Sequence, residues 1–235
     1  MNAQAHTPVA VITGAGRGIG RATALRFAAM GYRLVLVSRS MDQLQETARL
    51  AGDAMCQCVA ADVGDEASVR RVIQTAIDFA GRIDVLVNNA GHALRLDVGQ
   101  TSPSQFASQF ATNLFGPFAL VHHAWPWLKQ SKGVIVNVSS QAARDPLGGF
   151  HAYASAKAAL NMLTLTLARE GAAHGIRAVA VAPGAVETKA LRDIASVEDF
   201  PSQFTLDPDD VARVIVDCAA GSLAHCSGEV IWMKK

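Results

Sequence analysis

Tyr153 and Lys157 stand four residues apart in a stretch of helical period, so their side chains project from one helix face a turn apart. A phenol is a poor acid at its reference pKa of about 10. An ammonium held beside it favours the phenolate, and such a pair could pass a proton near neutral pH. The pair alone also fits an exposed tyrosine stacked on a lysine stem. A glycine-rich turn, Thr13-Gly14-Ala15-Gly16-Arg17-Gly18-Ile19-Gly20, is the second feature with chemical potential. Counted from Gly14, the pattern G-x-G-x-x-G/A fails at Ile19, whereas T-G-x-x-x-G-x-G fits through Thr13, Gly14, Gly18 and Gly20. Glycines at a strand-to-helix turn allow positive φ and let the backbone approach a pyrophosphate. The free N–H groups and the dipole of the following helix then attract that group. The same glycines fit a tight turn that binds nothing.

The elements that must position these residues alternate along the chain. Seven short runs rich in β-branched residues, at 9–13, 33–37, 55–60, 84–88, 133–138, 177–182 and 229–232, read as strands. Segments of helical period lie between them at 21–30, 42–51, 66–80, 104–129, 152–174 and 208–219. This alternation predicts an α/β fold, and strands that are nearly continuous apolar runs predict a parallel sheet covered by helices on both faces. Gly31, Gly81 and Gly175 fall where left-handed C-cap residues would sit, and Asp207-Pro208 suits an N-cap with proline at N1. Residues 187–206 lack periodicity, which suits a mobile loop or a short helical lid. No linker rich in Gly, Ser or Pro divides the 235 residues, so residues 1–235 read as one domain.

Half the residues are hydrophobic and 17% are charged, which rules out a disordered chain. Lys plus Arg number 21 against 20 Asp plus Glu, a formal charge of +1, so no global positive field exists to hold nucleic acid or an anionic membrane. An anionic ligand must be held locally. No apolar run is long enough to span a bilayer, and the N-terminus MNAQAHTP has neither a basic nor an apolar leader region, so the expectation is a cytoplasmic protein. Four cysteines are too few for a disulfide scaffold, and Cys56 and Cys58 lack zinc-ligand spacing, so they read as reduced thiols. His122 and His123 point different ways on a helix and the other histidines are scattered, so no metal is expected. Lys129 and Lys132 at a helix end read as complements to its dipole rather than as a docking patch.

Further motifs arrive in order: Asp62-Val63 after the third strand, Asn88-Asn89-Ala90-Gly91 after the fourth, Asn113, Ser139-Ser140 after the fifth, then Tyr153-x-x-x-Lys157 and Pro183-Gly184. With these the chain resembles the short-chain dehydrogenase/reductase family from about Pro8 to Val230, and within it the 3-oxoacyl-carrier-protein reductase type. The resemblance implies a single-domain Rossmann fold, a doubly wound sheet of seven parallel strands with ligands outside their carboxyl ends. It assigns Gly14, Arg17, Gly18, Ile19 and Gly20 to the pyrophosphate of a dinucleotide and Asp62 and Val63 to the adenine. Asn89, Ala90 and Gly91 go to the adenosine ribose, and Pro183, Gly184, Val186 and Thr188 to the nicotinamide. Ser140, thirteen residues before Tyr153, stands at the family's interval. The implied catalytic group is Asn113, Ser140, Tyr153 and Lys157. Tyr153 gives a proton to the alkoxide left by hydride transfer, and Lys157 lowers its pKa while bonding the nicotinamide ribose. Ser140 donates to the carbonyl oxygen, and Asn113 holds a water that leads to solvent.

An NAD enzyme of this fold usually ends its second strand on an acid that bonds the ribose hydroxyls. Here the place reads Ser38-Arg39-Ser40, and Arg39 with Arg17 suits a 2′-phosphate, so NADP(H) is expected over NAD(H). The expected partners are a small carbonyl or acyl-thioester substrate, an acyl carrier protein as a possible carrier, and further copies of the chain as a homotetramer or homodimer. Phe106, Phe110, Phe115, Phe118, Trp125 and Trp127 supply core and subunit interface in that reading. Two departures bear on the substrate. The segment 187–206 is short, which implies an open pocket, and the chain ends without the family's usual Asp-Gly-Gly. Two alternatives stay open, an NAD(P)-dependent dehydrogenase of another small alcohol or ketone, and a nucleotide-binding sensor without catalysis.

Overall fold

The computed structural model describes residues 6–235, so the N-terminal reading of residues 1–5 lies outside the described residues. The strands are β1 (Val9–Thr13), β2 (Arg33–Ser38), β3 (Cys56–Ala60), β4 (Val85–Asn88), β5 (Val134–Val138), β6 (Arg177–Pro183) and β7 (Val230–Met233). All pair in parallel, in the order β3-β2-β1-β4-β5-β6-β7. The order reverses direction between β1 and β4, which opens a crevice at the carboxyl ends of those strands.

Strand alternation divides the core into two layers. Val9, Val11, Val35, Leu86 and Ile135 face one side, where α3 (Glu66–Ala80), α5 (Gly116–Ser131) and α6 (His151–Ala172) cover them. Ala10, Ile12, Leu34, Leu36 and Val136 face the other, under α1 (Gly18–Ala29), α2 (Met41–Leu50) and α8 (Pro208–Ala220). The remaining helices are α4 (Pro103–Phe110) and the single-turn α7 (Lys189–Arg192). Gly31, Gly81 and Gly175 all take positive φ, and Asp207 caps α8 by accepting the Asp209 N–H at 2.8 Å. Lys132 is the left-handed C-cap of α5, so it ends a helix, as its position suggested.

Residues 104–129 form the continuous helical stretch that their period predicts, with one local departure, a π turn at Ala111–Phe115 that joins α4 to α5. The Asn113 side-chain amide donates to the Gln109 carbonyl at 2.9 Å, which is the acceptor its backbone N–H would use in an α-helix. Pro117 has no N–H for the Asn113 carbonyl, and the turn widens. Among the described residues no helix is long and apolar enough to cross a membrane.

Candidate active site

A cavity of about 570 Å³ opens over the carboxyl ends of the sheet. The glycine turn forms its floor at one end. There Gly14 and Gly18 adopt φ of 67° and 54°. A Cβ on Gly14 would lie 2.6 Å from Asn89 Nδ2, and one on Gly20 would lie 2.2 Å from the Gly14 carbonyl oxygen. These glycines therefore hold a backbone fold that side chains would break. Asn89 fastens the turn to β4 by donating through Nδ2 to the Thr13 carbonyl at 2.8 Å, while the Asn89 and Ala90 N–H groups each reach Thr13 Oγ1 at 3.0 Å.

Helix α1 begins at this floor with no side-chain cap on its N-terminal N–H groups and no acid in its first turn. Arg17 stands at its N-cap, and Gly18 and Ile19 line the cavity. Open N–H donors, a helix dipole and an arginine on a glycine floor fit a pyrophosphate, which is the fit a dinucleotide requires.

The opposite wall carries the reactive groups. Ser140 follows β5, and its hydroxyl accepts the Ala142 N–H at 3.1 Å. Tyr153 and Lys157 project from the first turns of α6, with the amine 5.7 Å from the phenol ring centroid. Phe150 packs edge-on to Tyr153, with ring centroids 6.4 Å apart. Lys157 is buried and donates from Nζ to the Val138 carbonyl at 2.7 Å. Burial without an acidic partner lowers its pKa to about 8, and burial pushes the Tyr153 phenol above its ordinary value while the Ser140 side chain pulls it back. The protein's own contribution at Tyr153 thus runs opposite to the depression expected from the sequence, because desolvation outweighs a lysine engaged elsewhere.

Asn113 lies fully buried at the π turn behind Gly91. Its Nδ2 donates to the carbonyls of His92 and Gln109, both at 2.9 Å, and its Oδ1 has no partner. A Cβ on Gly91 would lie 2.7 Å from that Oδ1 and 3.5 Å from Lys157 Nζ, so Gly91 leaves both polar atoms facing one small space. Such an orphaned oxygen beside an amine suits an ordered water.

Residues 185–206 roof the cavity. The loop is closed at its base by the Glu187 N–H on the Leu206 carbonyl at 2.9 Å and the Leu206 N–H on the Ala185 carbonyl at 2.8 Å. Thr188 caps α7 by accepting the Leu191 N–H at 3.2 Å, and Leu191, Ile194, Phe200 and Phe204 turn toward the cavity.

Of the residues foreseen, Gly14, Arg17, Gly18, Ile19, Asn89, Ala90, Gly91, Ser140, Tyr153, Lys157, Pro183, Gly184, Val186 and Thr188 line this one cavity. Gly20 lies beneath the turn and Asn113 behind the wall. Arg39 and Asp62 are exposed beyond the lining, Arg39 just past the end of β2, and Val63 is buried there. His92, Gln141, Leu147, Phe150, Lys234 and Lys235 line it without having been foreseen. The two lysines were legible in principle, since in a parallel sheet the residue after β7 emerges on the same rim as the residues after β1, β4, β5 and β6.

The sequence model of the short chain dehydrogenase family matches residues 8–199, most of the chain. The chain belongs to the short-chain dehydrogenase family. This dehydrogenase is 35% identical to the granaticin polyketide synthase putative ketoacyl reductase 2 of Streptomyces violaceoruber, over 96% of this chain and 94% of the relative. Its fold matches the crystal structure of 3-ketoacyl-(acyl-carrier-protein) reductase from Brucella melitensis complexed with NADH. The TM-score is 0.91, with 31% identity and 97% of each chain covered. Levodione reductase gives the same TM-score at 28% identity, again over 97% of both chains. The short-chain dehydrogenase described here is an NAD(P)-dependent oxidoreductase with a doubly wound Rossmann fold.

Proposed function

We propose that the protein is an NADPH-dependent carbonyl reductase that acts on 3-oxoacyl thioesters. The observation that carries this reading is the buried Lys157 amine on one wall with Tyr153 and Ser140, facing the same cavity as the glycine turn. When bound, the nicotinamide cofactor would supply the hydride and, once oxidised, a positive charge that favours the phenolate. Gly14, Arg17, Gly18 and Ile19 would hold its pyrophosphate on the turn that Gly20 lets close, and Asn89, Ala90 and Gly91 would shape the ribose wall with Asp62 and Val63 beyond it. Pro183, Gly184, Val186 and Thr188 would flank the nicotinamide.

The Ser140 hydroxyl donates to the substrate oxygen and stabilises charge as it develops there. Tyr153 gives its phenolic proton to that oxygen. Desolvation in the chain alone raises the pKa of this phenol, and a positive nicotinamide beside it would act in the opposite direction. Lys157, with its pKa near 8, would return a proton to the phenolate and be recharged from solvent through a water at the unpartnered Asn113 Oδ1. NADPH over NADH rests on this chain's own residues. Its second strand ends in Ser38-Arg39-Ser40 with no acid, and Arg17 and Arg39 are cations of suitable reach for a 2′-phosphate. The Brucella neighbour was crystallised with NADH, so the two cofactors must be compared directly. The thioester class is supported by the ketoacyl reductase relatives.

Steady-state oxidation of NADPH and of NADH with a short 3-oxoacyl thioester, simple ketones and quinones tests the proposal. We expect thioester turnover at least tenfold faster with NADPH. Tyr153→Phe should lower kcat by about 100-fold or more with unchanged NADPH affinity. Reduction of ketones alone would discard the thioester assignment, and tight NADPH binding without any turnover would make the protein a nucleotide sensor.

A further inference from the structure

Six charged side chains line the cavity: Arg17, Asp145, Lys157, Lys189, Lys234 and Lys235. Five are cations and one is an acid, in a chain whose formal charge is +1. Three of the cations are already engaged. Lys157 donates to the Val138 carbonyl at 2.7 Å, Lys189 pairs with Asp193 at 2.5 Å, and Arg17 reaches the same acid at 3.9 Å. Lys234 and Lys235 are exposed and take part in no ion pair among the described residues.

Their place is fixed by the residue before them. The Met233 carbonyl accepts the Gly184 N–H at 2.9 Å and Gln141 Nε2 at 3.4 Å. The strand is thereby pinned between the turn after β6 and the residue next to Ser140. The chain leaves β7 beside Gly184 and Gln141, on a cavity lining that also carries the apolar Leu147, Phe150, Leu191 and Ile194. Two cations without acidic partners at the rim of an apolar slot match one ligand shape, an apolar chain that carries a negative charge.

Resting on the reductase reading above, we propose that this cavity takes a carbonyl substrate whose apolar chain carries an anionic group, a carboxylate or a phosphate, held at the mouth by Lys234 and Lys235. Asp145 on the same lining sets an upper limit on that attraction. Substrates without the charge bind through the apolar wall alone.

Calorimetric binding in the presence of NADPH, which cannot oxidise a hydroxyacyl ligand, separates the possibilities, using three ligands that share a 3-hydroxyoctanoyl group. These are the neutral N-acetylcysteamine thioester, the coenzyme A thioester with its phosphates, and the free carboxylate. We expect at least one charged ligand to bind about fivefold tighter than the neutral one, the scale of two exposed charge contacts. The charged ligand that shows the preference identifies the anion. Lys234→Ser with Lys235→Ser should erase the preference while the neutral thioester and NADPH bind unchanged, Asp145→Asn should enlarge it, and about 0.5 M salt should suppress it. Equal binding of charged and neutral ligands by the wild type would overturn the proposal. So would a double variant that loses NADPH affinity instead, since the lysines would then serve the cofactor. Turnover of the matching 3-oxo compounds is read separately. Turnover without charge preference removes this inference and keeps the reductase, whereas charge preference without turnover does the reverse.

Discussion

Lys157 carries most of the chemistry that burial imposes on this site. It is 3% exposed, and its amine meets a carbonyl rather than a carboxylate, so desolvation lowers its pKa from 10.5 to about 8. The unfolded chain keeps that proton to higher pH, so between about 8 and 10.5 the unfolded state binds more protons than the folded one. The contribution of Lys157 to stability is therefore lowest below pH 8 and grows as pH rises through that window. Lys157→Met should stop turnover and remove this dependence. Urea unfolding at pH 7.5 and 9.5 should show the wild type gaining roughly 2 kcal/mol on the variant at the higher pH. An equal difference at both values would mean that the amine is solvated. The spacing of Tyr153 and Lys157 was legible in the sequence. The direction of the tyrosine shift in the chain alone was not, because it depends on desolvation that only tertiary packing, including Phe150 against the ring, brings about.

At the scale of elements, Arg192 joins more parts of the roof than any other side chain in it. Arg192 ion-pairs with Glu187 through Nε at 2.7 Å and through Nη2, and its Nη1 donates to the carbonyls of Ser196 and Phe200 at 3.0 and 2.9 Å. Thr205 Oγ1 donates to the same Glu187 carboxylate at 3.1 Å, and the guanidinium holds that carboxyl down at about 2. The pair thus stays charged at pH values well above 2. Arg192→Gln should loosen Thr188, Leu191 and Phe200 together, raising KM for the carbonyl substrate about tenfold with a smaller change in kcat. Arg192→Lys should recover only part, since an ammonium cannot form the two-pronged contact. An unchanged KM in the glutamine variant would show that the roof holds without its arginine. The sequence marked 187–206 as aperiodic and suggested a mobile loop or a short helical lid. A short helix is present, and its anchoring comes from contacts between residues that local propensity does not link. The π turn at Asn113 escaped for a similar reason, since a side chain competing for a backbone carbonyl leaves the hydrophobic period of 104–129 intact.

For the whole molecule, the described surface keeps Phe115 at 60%, Phe118 at 51% and Met162 at 62% exposed, on the π turn, α5 and α6. Trp125 and Trp127 from the same aromatic group pack partly against the core. Exposed apolar side chains of this size are what a contact with further copies of the chain would cover. Phe115→Asp with Phe118→Asp should lower the mass measured by light scattering toward that of one chain. A wild type that already runs as a monomer would end the expectation of an oligomer. The sequence by itself determined the α/β alternation, the parallel sheet, the glycine turn, and the identity and order of the groups from Ser140 to Thr188, because strand period, helix period and turn residues are local properties. Only the tertiary structure decided what those groups meet. It set the strand order that opens the crevice, turned the Asn89 amide inward to fasten the glycine turn, and left Arg39 outside the cavity lining. It also carried Lys234 and Lys235, farthest along the chain from the glycine turn, to the rim of the same cavity. Those outcomes depend on which strands become neighbours and which polar groups lose their water, and both follow from packing the whole sheet.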